Sequence, residues 1–133
     1  MLQRYAHPAA HEAFIRFALL APRYGVCVGR YVLMPDHTHL FAAFGQASIP
    51  LAKWMKSFKN AISKALKSAD FGPPLWQKGC FDHVLRSQES YDQKWLYVWN
   101  NPVRAGLVHS AEDWPYSGEI FQLLPAVERH ARS

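Results

Sequence analysis

Two histidines separated by one residue stand in the stretch YVLMPDHTHLF, Tyr31 to Phe41, just after a proline and an apolar run with the composition of a β-strand. Successive side chains of a strand point to opposite faces, so His37 and His39 project together and can meet one ion, while Thr38 and Leu40 point the other way. Two imidazoles placed in this way suit a divalent metal, and they equally suit the wet face of a sheet as two half-exposed polar residues. A second constellation lies in QESYDQKWLYVWNN, where Tyr97 and Asn101 are four residues apart and Lys94 precedes Tyr97 by three. On a helix these residues stack one turn above another. Brought over the His37/His39 face, they would supply a nucleophile, a third metal ligand and a phosphate partner. Spacing alone leaves the plainer roles open, since tyrosine rings often pack with a wet hydroxyl and an asparagine before proline is a common turn residue.

Such residues act only if elements hold them. From about Pro8 to Leu20, Phe14, Phe17 and Ala18 share one face, which predicts a first helix interrupted by Pro22. After Gly25, VCVGRYVLM is β-branched and aromatic, and HTHLFAAF follows the Pro-Asp break. The two runs predict an antiparallel pair with His37 at or near the start of its second strand. From about Ser48 to Lys67, an apolar stripe of Leu51, Trp54, Met55, Phe58, Ile62 and Leu66 opposes Lys53, Lys56, Ser63, Lys64 and Lys67, predicting a second helix with a basic outer face. DFGPPLW reads as a loop, and FDHVLR, Phe81 to Arg86, as a short strand. Ser87 can cap a third helix from about Gln88, with Tyr91, Trp95 and Val98 on one face; Pro102 disfavours helix in the residue before it, so the helix is expected to end at Asn101. Gly106 opens a tail that closes on the polar ERHARS, expected to fray.

With 133 residues, half of them hydrophobic, the chain fits one domain spanning 1–133 with a real core. Fifteen Lys and Arg against ten acids give a net charge of +5, which favours an anionic partner such as nucleic acid. No run approaches the roughly 18 apolar residues of a membrane helix, and MLQRYAHPAA lacks the apolar centre of a signal peptide, so no membrane partner and a cytoplasmic location are expected. Cys27 and Cys80 lack metal-ligand spacing and read as reduced thiols. No Gly-x-Ser-x-Gly motif and no phosphate-cradling glycine loop is present, which sets aside hydrolase and nucleotide-binding readings.

The ordered set YVLMPDHTHL, MKSFKNAISKAL, LWQKGCFDHVLR and YVWNNPVRAGLV resembles the REP-associated tyrosine transposases, a branch of the HUH single-strand endonucleases related to insertion-sequence transposases. The likeness covers about residues 12 to 117. It implies an α+β fold with a ferredoxin-like antiparallel sheet, and a divalent metal, Mg²⁺ or Mn²⁺, held by a His-hydrophobic-His pair and an asparagine four residues after the catalytic tyrosine. Carried onto this chain, the ligands would be His37, His39 and Asn101 and the nucleophile Tyr97. Thr38 is less apolar than the residue usual between the two histidines. The implied partner is single-stranded or hairpin DNA, cut through a 5′-phosphotyrosine link that leaves a 3′-hydroxyl and stores the bond energy for rejoining. The metal and Lys94 would favour the phenolate of Tyr97. Lys53, Lys56, Lys59 and Lys64, with Arg86, are candidate phosphate contacts, although a charged helix face is also commonly just solvated. Trp76 and Trp99 would stack unpaired bases or pack in the core, and His83 is a further polar group. The reading from a different class is a domesticated or truncated DNA-binding protein of the same fold without catalysis.

The chain departs from the family in one respect. A β-strand normally precedes the first helix and lies centrally in the sheet, whereas here only MLQRYAH comes before it. The strand bearing His37 and His39 is then expected to face a gap, filled by MLQRYAH, by GEIFQLLPAV, or by a second copy in a homodimer, because unpaired backbone groups at an edge seek partners.

Overall fold

The computed structural model describes residues 6–35, 37–45, 48–69, 81–84, 88–123 and 128–132. Helix α1 (Pro8–Leu20) starts where the ring of His7 accepts the Ala9 N–H at 3.0 Å and proline occupies the first turn, where its missing N–H costs nothing. A 3₁₀ turn (Ala21–Tyr24) then leads to Gly25, whose φ of 77° lies in the left-handed region. A Cβ there would come within 2.7 Å of the Ser48 Cα, so glycine is required on both counts.

Strands β1 (Val26–Leu33) and β2 (Thr38–Phe44) form the expected antiparallel pair. Their register shifts between Val28 and Tyr31, where β1 carries one extra residue. This bulge inverts the alternation. Val26 and Val28, then Tyr31 and Leu33, all enter one core, while Val32 and Met34 enter the other.

Helix α2 (Leu51–Ser68) buries Trp54, Met55, Phe58, Ile62 and Leu66, as its stripe predicts. These side chains and Phe14 of α1 cover one face of the sheet, with the Trp54 and Phe58 rings stacked at 6.2 Å and Phe14 edge-on to Phe58 at 5.7 Å. On the opposite face, helix α3 (Gln88–Trp99) buries Val98 against Val32 and Phe41. The fold is thus the α+β antiparallel sheet with helices that the resemblance implies.

Three expectations need correction. Pro102 does not end the third helix at Asn101. The chain breaks at Asn100 and Asn101–Arg104 forms a further short helix, α4, with Pro102 in its first turn, the place where proline is tolerated. The strand expected over Phe81–Arg86 is present as β3 over its described part, Phe81–Val84, and Arg86 lies outside the described residues. Within the tail, Ser117–Glu119 forms β4 along β1.

The polar ERHAR does not fray: Glu128–Arg132 is β5, and it pairs with β2 from His39↔Arg132 to Ala43↔Glu128. The sheet order is β3-β5-β2-β1-β4. The place expected to be a gap beside the histidine strand is therefore occupied by the chain's own backbone, and the homodimer inferred from an empty edge loses that reason. The other sequence-stretch candidates fall away with it, since the hydrogen-bonding groups of β2 are taken up on both sides.

Between α1 and the sheet, His11 Nε2 lies 2.7 Å from the Tyr31 hydroxyl. Burial pushes the Tyr31 phenol up to about 12 and lowers His11 below its usual value. In the unfolded chain Tyr31 ionises near 10 and His11 takes a proton near 6.5. The folded state resists both changes, so folding stability is expected to fall as pH drops through 6.5 and again as it rises from about 10 toward 12. Tyr31→Phe should remove most of the alkaline loss, on the order of 2 kcal/mol, when urea midpoints are followed against pH.

Candidate metal and nucleophile site

Alternation along β2 sends Leu40 and Ala42 toward α1 and α2 and Phe41 toward α3. His39 is in phase with Phe41 and so belongs to the α3 side. His37 sits just before the strand, where its carbonyl accepts the Met34 N–H at 2.8 Å and closes the connection from β1. The two imidazoles are half-buried, their centroids 4.9 Å apart and their planes at 83°. The face-sharing predicted from their spacing is the observed arrangement.

Helix α3 brings the second constellation to this face. Val98 is its buried anchor, and Trp95 lies edge-on to Phe41 with ring centroids 6.1 Å apart. The break at Asn100, whose side-chain amide donates to the Leu96 carbonyl at 2.9 Å, aims the following residue at the sheet. Asn101 Nδ2 consequently lies 3.0 Å from His39 Nε2. With the amide donating, Nε2 is the acceptor and turns a nitrogen lone pair to the carboxamide.

Two imidazoles and a carboxamide are donor types that a divalent ion accepts. Neighbouring donors in an octahedral shell at about 2.1 Å stand about 3 Å apart, which is the separation between the carboxamide and Nε2. A half-turn of the Asn101 amide would bring Oδ1 to that place. Among the described residues no group of three His, Cys, Asp or Glu could hold a metal.

Tyr97, one turn before Asn101, is 66% exposed. Lys94 is half-buried on the preceding turn, but the cation that covers the Tyr97 ring is Arg104, its guanidinium carbon 3.8 Å from the ring centre. Arg104 also donates to the Tyr97 carbonyl and, at 3.2 Å, to Asn101 Oδ1. Sequence reasoning missed this residue, though it stands seven after Tyr97 and three after Asn101 in NPVR, a helical spacing visible once the helix is known to resume beyond Pro102.

The other candidates are not gathered here. Lys53, Lys56, Lys59 and Lys64 belong to α2, and the sheet separates that helix from the histidine face. Arg86 and Trp76 lie outside the described residues. Trp99 is half-buried and stacks on Trp95, centroids 6.3 Å apart, while Arg30 of β1 covers Trp95 at 5.6 Å. His83 of β3 is in register with His130, which is opposite Phe41. Cys27 is a free thiol, and Cys80 lies outside the described residues.

No family model matches the chain. It is similar to a REP-associated tyrosine transposase of Escherichia coli (strain K12), 23% identical over 90 residues that make up 68% of this chain and 52% of that protein. A putative REP-associated tyrosine transposase of Haemophilus influenzae is 25% identical over 95 residues, 64% of this chain and 54% of that one. The chain spans about half the length of these curated relatives. Among solved structures, a REP-associated tyrosine transposase bound to a REP hairpin shares the fold with a TM-score of 0.65, at 18% identity, over 90% of this chain and 78% of that one.

Proposed function

We propose that this chain, which resembles the REP-associated tyrosine transposases in sequence and shares their fold, cuts and rejoins single-stranded or hairpin DNA through Tyr97. The observation that carries this reading is the approach of Asn101 to His39 at 3.0 Å on the face that also holds His37, with Tyr97 one helical turn away. His37, His39 and Asn101 would hold Mg²⁺ or Mn²⁺. Such an ion, when bound, supplies positive charge beside a non-bridging phosphate oxygen.

The chain's own residues account for the rest. Tyr97 projects its phenol into solvent, where an incoming strand can reach it. Its oxygen attacks phosphorus, the phenol proton leaves, and the bond from phosphorus to the 3′-oxygen breaks; that oxygen takes a proton and departs as a 3′-hydroxyl. The 5′-phosphate remains on Tyr97 until a 3′-hydroxyl attacks it and releases the phenol. One phosphate ester replaces another at each step, so no nucleotide hydrolysis is needed.

A DNA partner is supported by the net charge of +5 and by the hairpin bound to the structure that shares this fold. Lys53, Lys56, Lys59 and Lys64 would then serve a strand passing around the α2 side, or only solvate that helix, since they do not border the histidine face. A cytoplasmic place of action fits a DNA-processing chain, and no described helix is long and apolar enough to cross a membrane.

The test is incubation with a panel of labelled hairpin and single-stranded DNAs and Mn²⁺, followed by a denaturing gel. A band of protein bound covalently to DNA, absent when the metal is chelated, is the expected result. Salt-sensitive binding with no adduct under any divalent ion would instead identify a DNA-binding protein without catalysis.

A further inference from the structure

We infer that Arg104 is a latch on this site: it holds the carboxamide oxygen of Asn101 away from the metal position, and is handed to the substrate phosphate when the amide turns. The inference deepens the proposed function and rests on it. The carboxamide presents Nδ2 to His39 Nε2 at 3.0 Å and Oδ1 to the Arg104 guanidinium at 3.2 Å. A metal accepts the oxygen and not the nitrogen of an amide, because only the oxygen offers a lone pair in the amide plane. Asn101 can therefore join His39 as a ligand only by turning its amide. That turn removes the acceptor from Arg104 and would set Nδ2, a donor, against the guanidinium, which has donors alone. Arg104 and the ion thus compete for one atom.

The released side chain has a new acceptor within reach. Its guanidinium lies 3.8 Å from the centre of the Tyr97 ring and is tied to the Tyr97 carbonyl, so its base stays beside the nucleophile. A phosphate brought to the Tyr97 hydroxyl comes close to a planar fork of N–H donors, the group best matched to phosphate oxygens. Arg104 is a positioning residue in the unloaded site and a phosphate contact in the loaded one. Its exposure allows both, because no packed neighbour has to move for it to swing.

The sign of the effect separates a latch from a structural prop. A prop would weaken metal binding when removed, because the ligands would lose their support. Removing a latch frees Oδ1 from a competing hydrogen bond. Arg104→Met is expected to bind Mn²⁺ about fivefold more tightly in calorimetry, the worth of one modest hydrogen bond, while forming the covalent adduct at least about tenfold more slowly for want of the phosphate contact. Arg104→Lys, which keeps a charge and a donor but lacks the fork, should fall between the two in both measurements. Equal or weaker Mn²⁺ binding by folded Arg104→Met overturns the latch and leaves the metal site standing. A wild type that binds no Mn²⁺ overturns both. Should Arg104→Met melt early, the lysine variant carries the same comparison, and Mn²⁺ affinity at or below that of the wild type again overturns the latch.

Discussion

Tyr97→Phe is expected to abolish the covalent DNA adduct, a loss of at least about a thousandfold, while fold and DNA affinity stay close to those of the wild type. The substitution removes one oxygen from a ring that is 66% exposed, so no core contact and no buried polar group is disturbed. The phenylalanine ring can still lie under the Arg104 guanidinium, which keeps the local arrangement of α3 and α4. Circular dichroism and a filter-binding isotherm check the unchanged properties, and a denaturing gel with label at the 3′ end of the DNA, on the fragment that stays joined to Tyr97, checks the lost one. An adduct that persists in Tyr97→Phe would move the nucleophile to another residue and break the link between the exposed phenol and the chemistry.

His37→Ala and His39→Ala should each remove divalent-metal binding and lower adduct formation more than about a hundredfold, yet leave most of the DNA affinity. The separation follows from where the two energies come from. On the proposed function, affinity for DNA would rest on phosphate contacts spread over a basic surface, whereas cleavage would depend on charge held at one point. Both rings are half-buried, and neither substitution opens a cavity in the two apolar cores, so the variants should fold. Asn101→Ala should fall between these variants and the wild type in Mn²⁺ affinity, since a neutral amide oxygen is the weakest of the three ligands. Calorimetry with Mn²⁺ reads all three, and binding unchanged by any of them would refute the metal site.

The parts of this arrangement that depend on local periodicity were legible in the sequence. The two-residue period puts His37 and His39 on one face, the 3.6-residue period chooses Trp54, Phe58, Ile62 and Leu66 as the buried side of α2, and of the α3 face grouped as Tyr91, Trp95 and Val98 the structure buries Val98. What failed depended on contacts between distant residues or on exceptions to local rules. The β1 bulge cannot be seen from composition, although it decides that Tyr31 lies beneath α1. Lys53, Lys56 and Lys64 were assigned correctly to an outer helix face, but the side of the sheet on which that helix packs is a tertiary matter. Pro102 reads as a stop because the residue before a proline usually leaves the helix; Asn100 makes the break one residue earlier, and the proline then starts the next turn. ERHAR carries no apolar alternation, and only its pairing with β2 and β3 makes it a strand.

The position of β5 also sets the order in which the molecule can be assembled. Both α1–α2 and the β1–β2 hairpin use contacts available once residue 68 has been made, whereas β5 joins the sheet between β2 and β3, and β3 pairs with nothing else among the described strands. During synthesis the histidine strand therefore waits with one row of backbone donors and acceptors open until residues 128–132 arrive, a long-range closure of the kind that slows folding. Over that interval the nascent chain has its first core but an adhesive margin, which closes when β5 pairs with β2.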